Sequence, residues 1–295
     1  MRCYIVFINA LLLVALSMSQ EVFSDMHKER LKYLMNLQRA GVMRLDRILD
    51  IGANVGDWTQ LVRSVFPMAM IFMIEANPEL ESDLKAISPD NYEIALLGDR
   101  KGMAEFHANR KSTTGGSIYK EYSYIAKWKE QHTEKMKMVT VDHIMKKRDL
   151  APFDFVKIDV QGAELLVLRG ATKTLQKAQI VMAEVSIHQY NPGSPSLGDI
   201  NNFMIQQGFR LYDIMDLRHM VDARSDASNV ETLVQMDVLW ARAESRIFYG
   251  MKYPRPPPDR YQCEVMMRNS NGGGRNESSP RFTSHRERKR RRLNV

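Results

Sequence analysis

Ile48-Leu-Asp-Ile-Gly-Ala-Asn-Val-Gly-Asp-Trp58 decides the fold. Ile48 to Ile51 is apolar apart from Asp50 and runs straight into a turn that carries Gly52, Asn54 and Gly56. Further along, Asp154-Phe-Val-Lys-Ile-Asp-Val-Gln-Gly-Ala-Glu164 follows the same plan. A buried strand that breaks into a glycine-bearing turn with carboxylates at its rim is how open parallel sheets build a ligand crevice.

Working outward, apolar β-rich runs alternate with helical patterns. The spacing predicts strands at 47–51, 69–74, 92–96, 153–160, 180–186, 210–214 and 233–242, a set of seven. Helices are predicted at 25–40, where Gly41 stops it, at 57–66, where Pro67 stops it, and from Pro78 onward. Continuous apolar strands fit an α/β sheet covered on both faces by helices. Residues 102–140 read as extra material that interrupts the alternation.

The first turn discriminates between ligands. A dinucleotide fingerprint needs glycine at its first, third and sixth places, which here hold Gly52, Asn54 and Asp57. Asn tolerates a left-handed backbone, so Asn54 preserves the turn. Asp57 puts a carboxylate where a helix N-terminus would otherwise attract a pyrophosphate. That disfavours NAD and suits a ligand with a ribose but no phosphate, of which S-adenosylmethionine is the common one. Glu75, just past the second strand, is placed to take both ribose hydroxyls. Asp50 is placed to face an ammonium or sulfonium. The plainer reading of both acids is helix capping or solvent exposure at strand ends.

Asp50-Ile-Gly-Ala-Asn-Val-Gly56, Glu75-Ala-Asn-Pro78, Val139-Thr-Val-Asp142 and Lys157-Ile-Asp-Val-Gln-Gly-Ala-Glu164 with Leu168-Arg-Gly-Ala171 together resemble the FkbM-type methyltransferases, over residues 45–209. The resemblance implies a class I methyltransferase fold: a Rossmann-like, seven-stranded, mostly parallel sheet with helices on both faces. It implies S-adenosylmethionine as the donor, oxygen as the atom methylated, and the pair Gly116 and Ser117 near the cofactor. The cofactor set expected on this basis is Asp50, Gly52, Asn54, Gly56, Trp58, Glu75, Ala76, Ala95, Leu96, Ser117 and Asp159. Gln161 stands where that group often has Glu, keeping shape and hydrogen bonding without the charge.

Lys157 and Asp159 lie two apart on a strand and so share a face. A lysine buried in a sheet needs a partner, and Asp159, Glu164 and Glu184 are the candidates. A fixed Lys157–Glu164 ion pair shaping the turn is one reading, and a catalytic role for Lys157 is the other. A hydroxyl acceptor must lose a proton, for which Asp159, Glu184 and His188 are placed at strand ends. The expected catalytic set is therefore Lys157, Asp159, Glu184 and His188. Residues 107–117 have the composition of a mobile loop. Tyr119, Tyr122, Tyr124 and Trp128 after it form either an acceptor wall or one helix packing its aromatics inward.

The ends differ from the middle. Residues 1–19 have the shape of a signal peptide or membrane anchor, with the apolar run at 4–18. The expected route is the secretory lumen, secretion or membrane anchoring, with the cytoplasm as the alternative. Residues 20–253 form the methyltransferase-like domain, and 254–295 are a Pro-, Gly- and Arg-rich tail that cannot offset its ordering entropy. Asn276 opens a glycosylation sequon in that tail. The formal charge is +7, and residues 281–292 alone hold seven Lys/Arg and one Glu, leaving the rest near neutral. A nucleic-acid-binding face is thus not expected on the folded domain, whereas the tail is basic enough to tether RNA or an anionic surface. The cysteines, Cys3 and Cys263, give neither a disulfide framework nor a metal-type spacing. Neither a Gly-x-Ser-x-Gly elbow nor a phosphate loop is present. The expected function is O-methylation of a hydroxyl on a small molecule or glycan. The alternatives are an RNA or protein methyltransferase tethered by the tail, and a cofactor-binding module without transfer.

Overall fold

The computed structural model describes residues 26–109, 113, 115–120, 131–187, 192–221 and 231–249. The expected leader at 1–19, the basic tail at 254–295 with its sequon, and His188, Tyr122, Tyr124 and Trp128 lie outside the described residues.

Helix α1 spans 26–39 and precedes β1 (Arg47–Ile51), α2 (Asp57–Val65) and β2 (Met70–Glu75). Asn77 then caps a short 3-10 turn at Pro78–Leu80, which leads into α3 (Glu81–Ile87) and β3 (Tyr92–Ile94). Next come β4 (Leu96–Leu97), β5 (Gly102–Asn109), β6 (Gln131–Val139), α4 (Val141–Lys147) and β7 (Phe155–Ile158). The remainder is α5 (Glu164–Arg169), α6 (Thr172–Leu175), β8 (Ile180–Ser186), α7 (Leu197–Gln206), β9 (Phe209–Val221) and β10 (Glu231–Arg242).

The main sheet has seven strands in the order β3-β2-β1-β7-β8-β10-β9. All neighbours are parallel except β10, which runs antiparallel to β8 and β9. The chain winds outward from β1 to β3 and later crosses back to β7, so the strand order reverses between β1 and β7. Ligands of open α/β sheets bind outside the strand C-termini at such a switch point. Both turns singled out in the sequence sit there.

Burial alternates along the strands. Leu49, Phe72, Val156, Ile158 and Val181 join the core on one face, with α4, α5 and α7, whereas Ile48, Ile71, Phe155, Ile180 and Met182 join that on the other, with α1 and α2. By the period of two, Asp50, Lys157, Glu184 and Asp237 all belong to the second face.

Two expectations change. The stretch 92–96 divides at Ala95 into β3 and β4, and β4 leaves the main sheet to pair with β6 in a three-stranded sheet of order β4-β6-β5. The supposed interruption at 102–140 supplies the other two strands. In β6 the Lys-, Glu- and Met-rich alternation, as in Thr133-Glu-Lys-Met-Lys-Met138, hides a one-sided strand among charges. Strand β9 also runs well past 214, through a region of irregular register opposite β10.

Gly170 ends α5 with its backbone against the Gly98 carbonyl after β4, and its own carbonyl accepts from Asp142 N at 3.1 Å. A Cβ there would overlap that oxygen, whereas at Gly102 it would meet nothing within 4 Å. Gly170→Ala is expected to cost about 3 kcal/mol, lowering Tm by roughly 8 °C for a domain of this size. Gly102→Ala should melt with the wild type. Equal melting of the two variants in a thermal scan would show that this close approach is not real.

Candidate active site

The crevice opens where β1, β2 and β7 end and is walled by the small sheet. Its inner part, about 410 Å³, is lined by Gly52, Glu75, Ala76, Ala95, Leu96, Phe106, Ser117, Asp159 and neighbours. An adjoining part of about 490 Å³ adds Asn54, Asn77, Gly115 and Gln161.

Glu75 is fixed from both sides: Asn54 N donates to Oε2 and Asn77 N donates to Oε1, each at 2.9 Å. Burial raises its pKa, although those amide bonds oppose the rise. The Ala76 amide adds a third backbone bond, and since a carboxylate offers about four lone-pair sites, acceptor capacity remains for a ligand. Asn54 holds φ 51°, the left-handed backbone expected of it, and its side-chain Oδ1 is buried with no hydrogen-bond partner. Gly52, at φ 71°, is needed for a different reason than the approach of a ligand. A Cβ there would overlap the Asp159 carbonyl, so the glycine lets the two turns touch.

Other expected cofactor residues lie apart from the crevice lining. Gly56 faces α3, where a Cβ would run into Ile87. Trp58 packs in the core with an edge contact to Phe155, centroids 5.7 Å apart. Asp50 is fully buried; its Oδ2 accepts from Thr59 Oγ1 at 2.7 Å, and its Oδ1 lies 3.4 Å from Lys157 Nζ. The carboxylate expected to face a ligand's positive charge thus faces the chain's own ammonium.

Lys157 is buried beside Asp50, to which it is register-paired, and lies 3.4 Å from Asp159 Oδ2. It also donates to the Gly52 carbonyl at 3.2 Å and stands 5.8 Å from the Trp58 ring centroid. Desolvation opposes its charge, but Asp159 and Asp50 outweigh it and raise its pKa. An ion pair with Glu164 does not form. Glu164 Oε1 instead accepts from Val160 N and Gly162 N at 3.1 and 3.0 Å, closing the second turn.

Asp159 and Glu184 meet at the ends of β7 and β8. Burial pushes Asp159 up, but Lys157 and the hydrogen bond from Gln161 outweigh it and hold its carboxyl low. Burial, then Asp159 and Asp237, push Glu184 well above the usual carboxylate range. Opposite shifts in adjoining carboxyls are the pattern by which one member favours its proton and the other its charge.

The row continues through groups that the sequence reading passed over. Asp237 lies opposite Glu184 and Asp216 lies opposite Asp237 in the sheet register. His27 Nε2 is 2.8 Å from Asp237 Oδ2, and Arg218 Nε is 3.5 Å from Asp216 Oδ2. His27, Asp216 and Asp237 bring three metal-type ligand atoms within 4.8 Å, far apart in sequence and so without a motif. Asp237 had a signal all the same: it is the one charge inside the apolar run of β10 from Met236 to Ala241.

The sequence model of the methyltransferase FkbM domain matches residues 50–211. The chain is 25% identical over 160 residues to the 2-O-methyltransferase NoeI of Sinorhizobium fredii, covering 50% of this chain and 65% of that protein. It is 28% identical over 145 residues to the hexuronic acid methyltransferase AglP of Haloferax volcanii, covering 48% and 56%. The matched part thus spans less than two thirds of either curated relative. Among solved structures, methyltransferase FkbM from Methylobacillus flagellatus superposes with a TM-score of 0.41 at 16% identity, covering 68% of this chain and 46% of that one.

Burial raises Glu164 from 4.5 to about 7, against the pull of the backbone amides it accepts from. Between those values the unfolded chain binds fewer protons than the folded one, so stability falls as pH rises through that window. Glu164→Gln keeps the acceptor oxygen and removes the titration. The wild type should therefore lose on the order of 3 kcal/mol more than the variant between pH 4 and 8. Parallel pH–Tm curves would contradict this account of the buried carboxyl.

Proposed function

The chain belongs to the FkbM methyltransferase family, and on that premise we propose that it transfers a methyl group from S-adenosylmethionine to a hydroxyl of a sugar or glycan. The observation that carries the donor assignment is the crevice floor. Glu75 has acceptor capacity to spare, Asn54 has a buried oxygen without a partner among the described residues, and Asp57 places a carboxylate in the first turn of α2, where a phosphate would otherwise be attracted. Glu75 and Asn54 would hold the ribose hydroxyls, while Ile74, Ala76, Ala95, Leu96 and Phe106 offer apolar surface beside them. When bound, the cofactor supplies a methyl already activated by the sulfonium charge.

The chain's own residues then have three tasks. Gly52 and Ser117, which both line the crevice, confine the space in which an acceptor can approach and help exclude water. Lys157 neutralises the carboxylates behind the turns. The Asp159–Glu184 pair, at the rim, receives the proton that the hydroxyl must lose. Transfer to oxygen is supported by the relative named as a 2-O-methyltransferase, and a sugar acceptor by the one named as a hexuronic acid methyltransferase.

Calorimetry with S-adenosylhomocysteine, followed by methyl-transfer assays over a panel of saccharides, tests this reading. Glu75→Ala is expected to weaken cofactor binding roughly 30-fold, from the loss of charged hydrogen bonds. Wild-type affinity in that variant, or tighter binding of NADH than of S-adenosylhomocysteine by the wild type, would overturn the donor assignment.

A further inference from the structure

Gln161 adopts φ 54°, followed by Gly162 at φ 99°. A left-handed backbone is uncommon for a residue with a Cβ, and such strain is found where function holds it in place. At the end of β7 this conformation directs the side chain across the strand ends. There its amide Nε2 lies 2.9 Å from Asp159 Oδ1 and 2.6 Å from Glu184 Oε2. An amide nitrogen carries two hydrogens and no charge, so one group donates to both carboxyls without adding to the Coulomb balance. The Glu184 carboxyl also hydrogen-bonds Asp159.

We propose that Gln161 is a positioning residue: by donating to both carboxyls at once it fixes their mutual geometry and holds Asp159, the one that lines the crevice, as the member of the pair that takes the proton of the acceptor hydroxyl. This rests on the methyl-transfer reading. In the step it serves, the acceptor oxygen bonds to the methyl carbon while the carbon–sulfur bond breaks and leaves its electron pair on sulfur. The hydroxyl proton passes to Asp159.

The surroundings agree with this role for Asp159. Lys157 on β7 and Arg218 on β9 favour the charged form of Asp159. Asp159, Asp237 on β10 and Glu164 on α5 disfavour a second charge on Glu184, with Arg218 opposing them. Asp50 on β1 is occupied with Lys157, and His27 on α1 is paired with Asp237. Of the two carboxyls, Asp159 lines the crevice. A glutamate in place of Gln161 would add a third carboxyl and remove both donated bonds.

The test is a carboxyl-carbon NMR titration of the full chain, with the two signals assigned by Asp159→Asn and Glu184→Gln. In the wild type Asp159 should titrate at lower pH than Glu184. In Gln161→Ala and Gln161→Glu the Asp159 midpoint should rise by about one pH unit as its donor is lost. The acidic limb of kcat with a sugar acceptor should move with it, while KM for S-adenosylmethionine stays within about twofold of the wild type. Gln161→Glu preserves side-chain shape, so it serves if the alanine variant does not fold. Unmoved midpoints in a folded variant overturn the proposal. The titration needs no acceptor, so the predicted shifts with no methyl transfer in the wild type would uphold the pair and instead refute the function on which its catalytic role rests.

Discussion

A single ammonium organises the top of this sheet. Lys157 Nζ reaches Asp50 on β1, Asp159 beyond β7 and the Gly52 carbonyl of the first turn, all from a buried position under α2. Neither Asp50 nor Lys157 could stay charged there alone, because an isolated buried ion is destabilising by several kcal/mol. Paired at adjacent register positions, they hold the β1 and β7 turns together. The missing side chain of Gly52 allows the two backbones to touch at that point.

From that fixed point the crevice follows. With the turns locked, Asn54 presents its amide to Glu75, and Glu75 presents its remaining lone pairs to the crevice. On the other side Lys157 favours the ionised form of Asp159, beside a Glu184 that burial and like charge push towards its protonated form. One end of the site therefore suits a sugar diol and the other suits the loss of a proton. Both depend on Lys157 neutralising charge behind them rather than on its touching a ligand.

Much of this was legible from residue patterns because it is local. The two glycine turns, the strands beside them and the left-handed Asn54 each follow from a few consecutive side chains. Partnership was harder to read. Asp50 looked like a ligand-facing acid, since nothing in the sequence says that the residue opposite it is Lys157; only register does. Glu164 looked like a partner for Lys157, yet the tight turn turns it inward to the amides of Val160 and Gly162. The acids of β8, β9 and β10 converge only once the sheet is assembled. Strand β6 is hard to read because a one-sided strand rich in Lys and Glu resembles a solvated loop. One signal was there to be used: Asp50, Lys157, Glu184 and Asp237 each interrupt an apolar strand, and all four fall on one face.

The claim that Lys157 and Asp50 stabilise each other inside the sheet is tested most directly by a double-mutant cycle in denaturant, using Lys157→Met, Asp50→Asn and both together. Removing the lysine alone should cost about 3–5 kcal/mol by stranding buried carboxylates. The double variant should recover at least roughly 2 kcal/mol relative to the sum of the single ones. Costs that add within about 0.5 kcal/mol would mean the two residues act independently, contradicting the account.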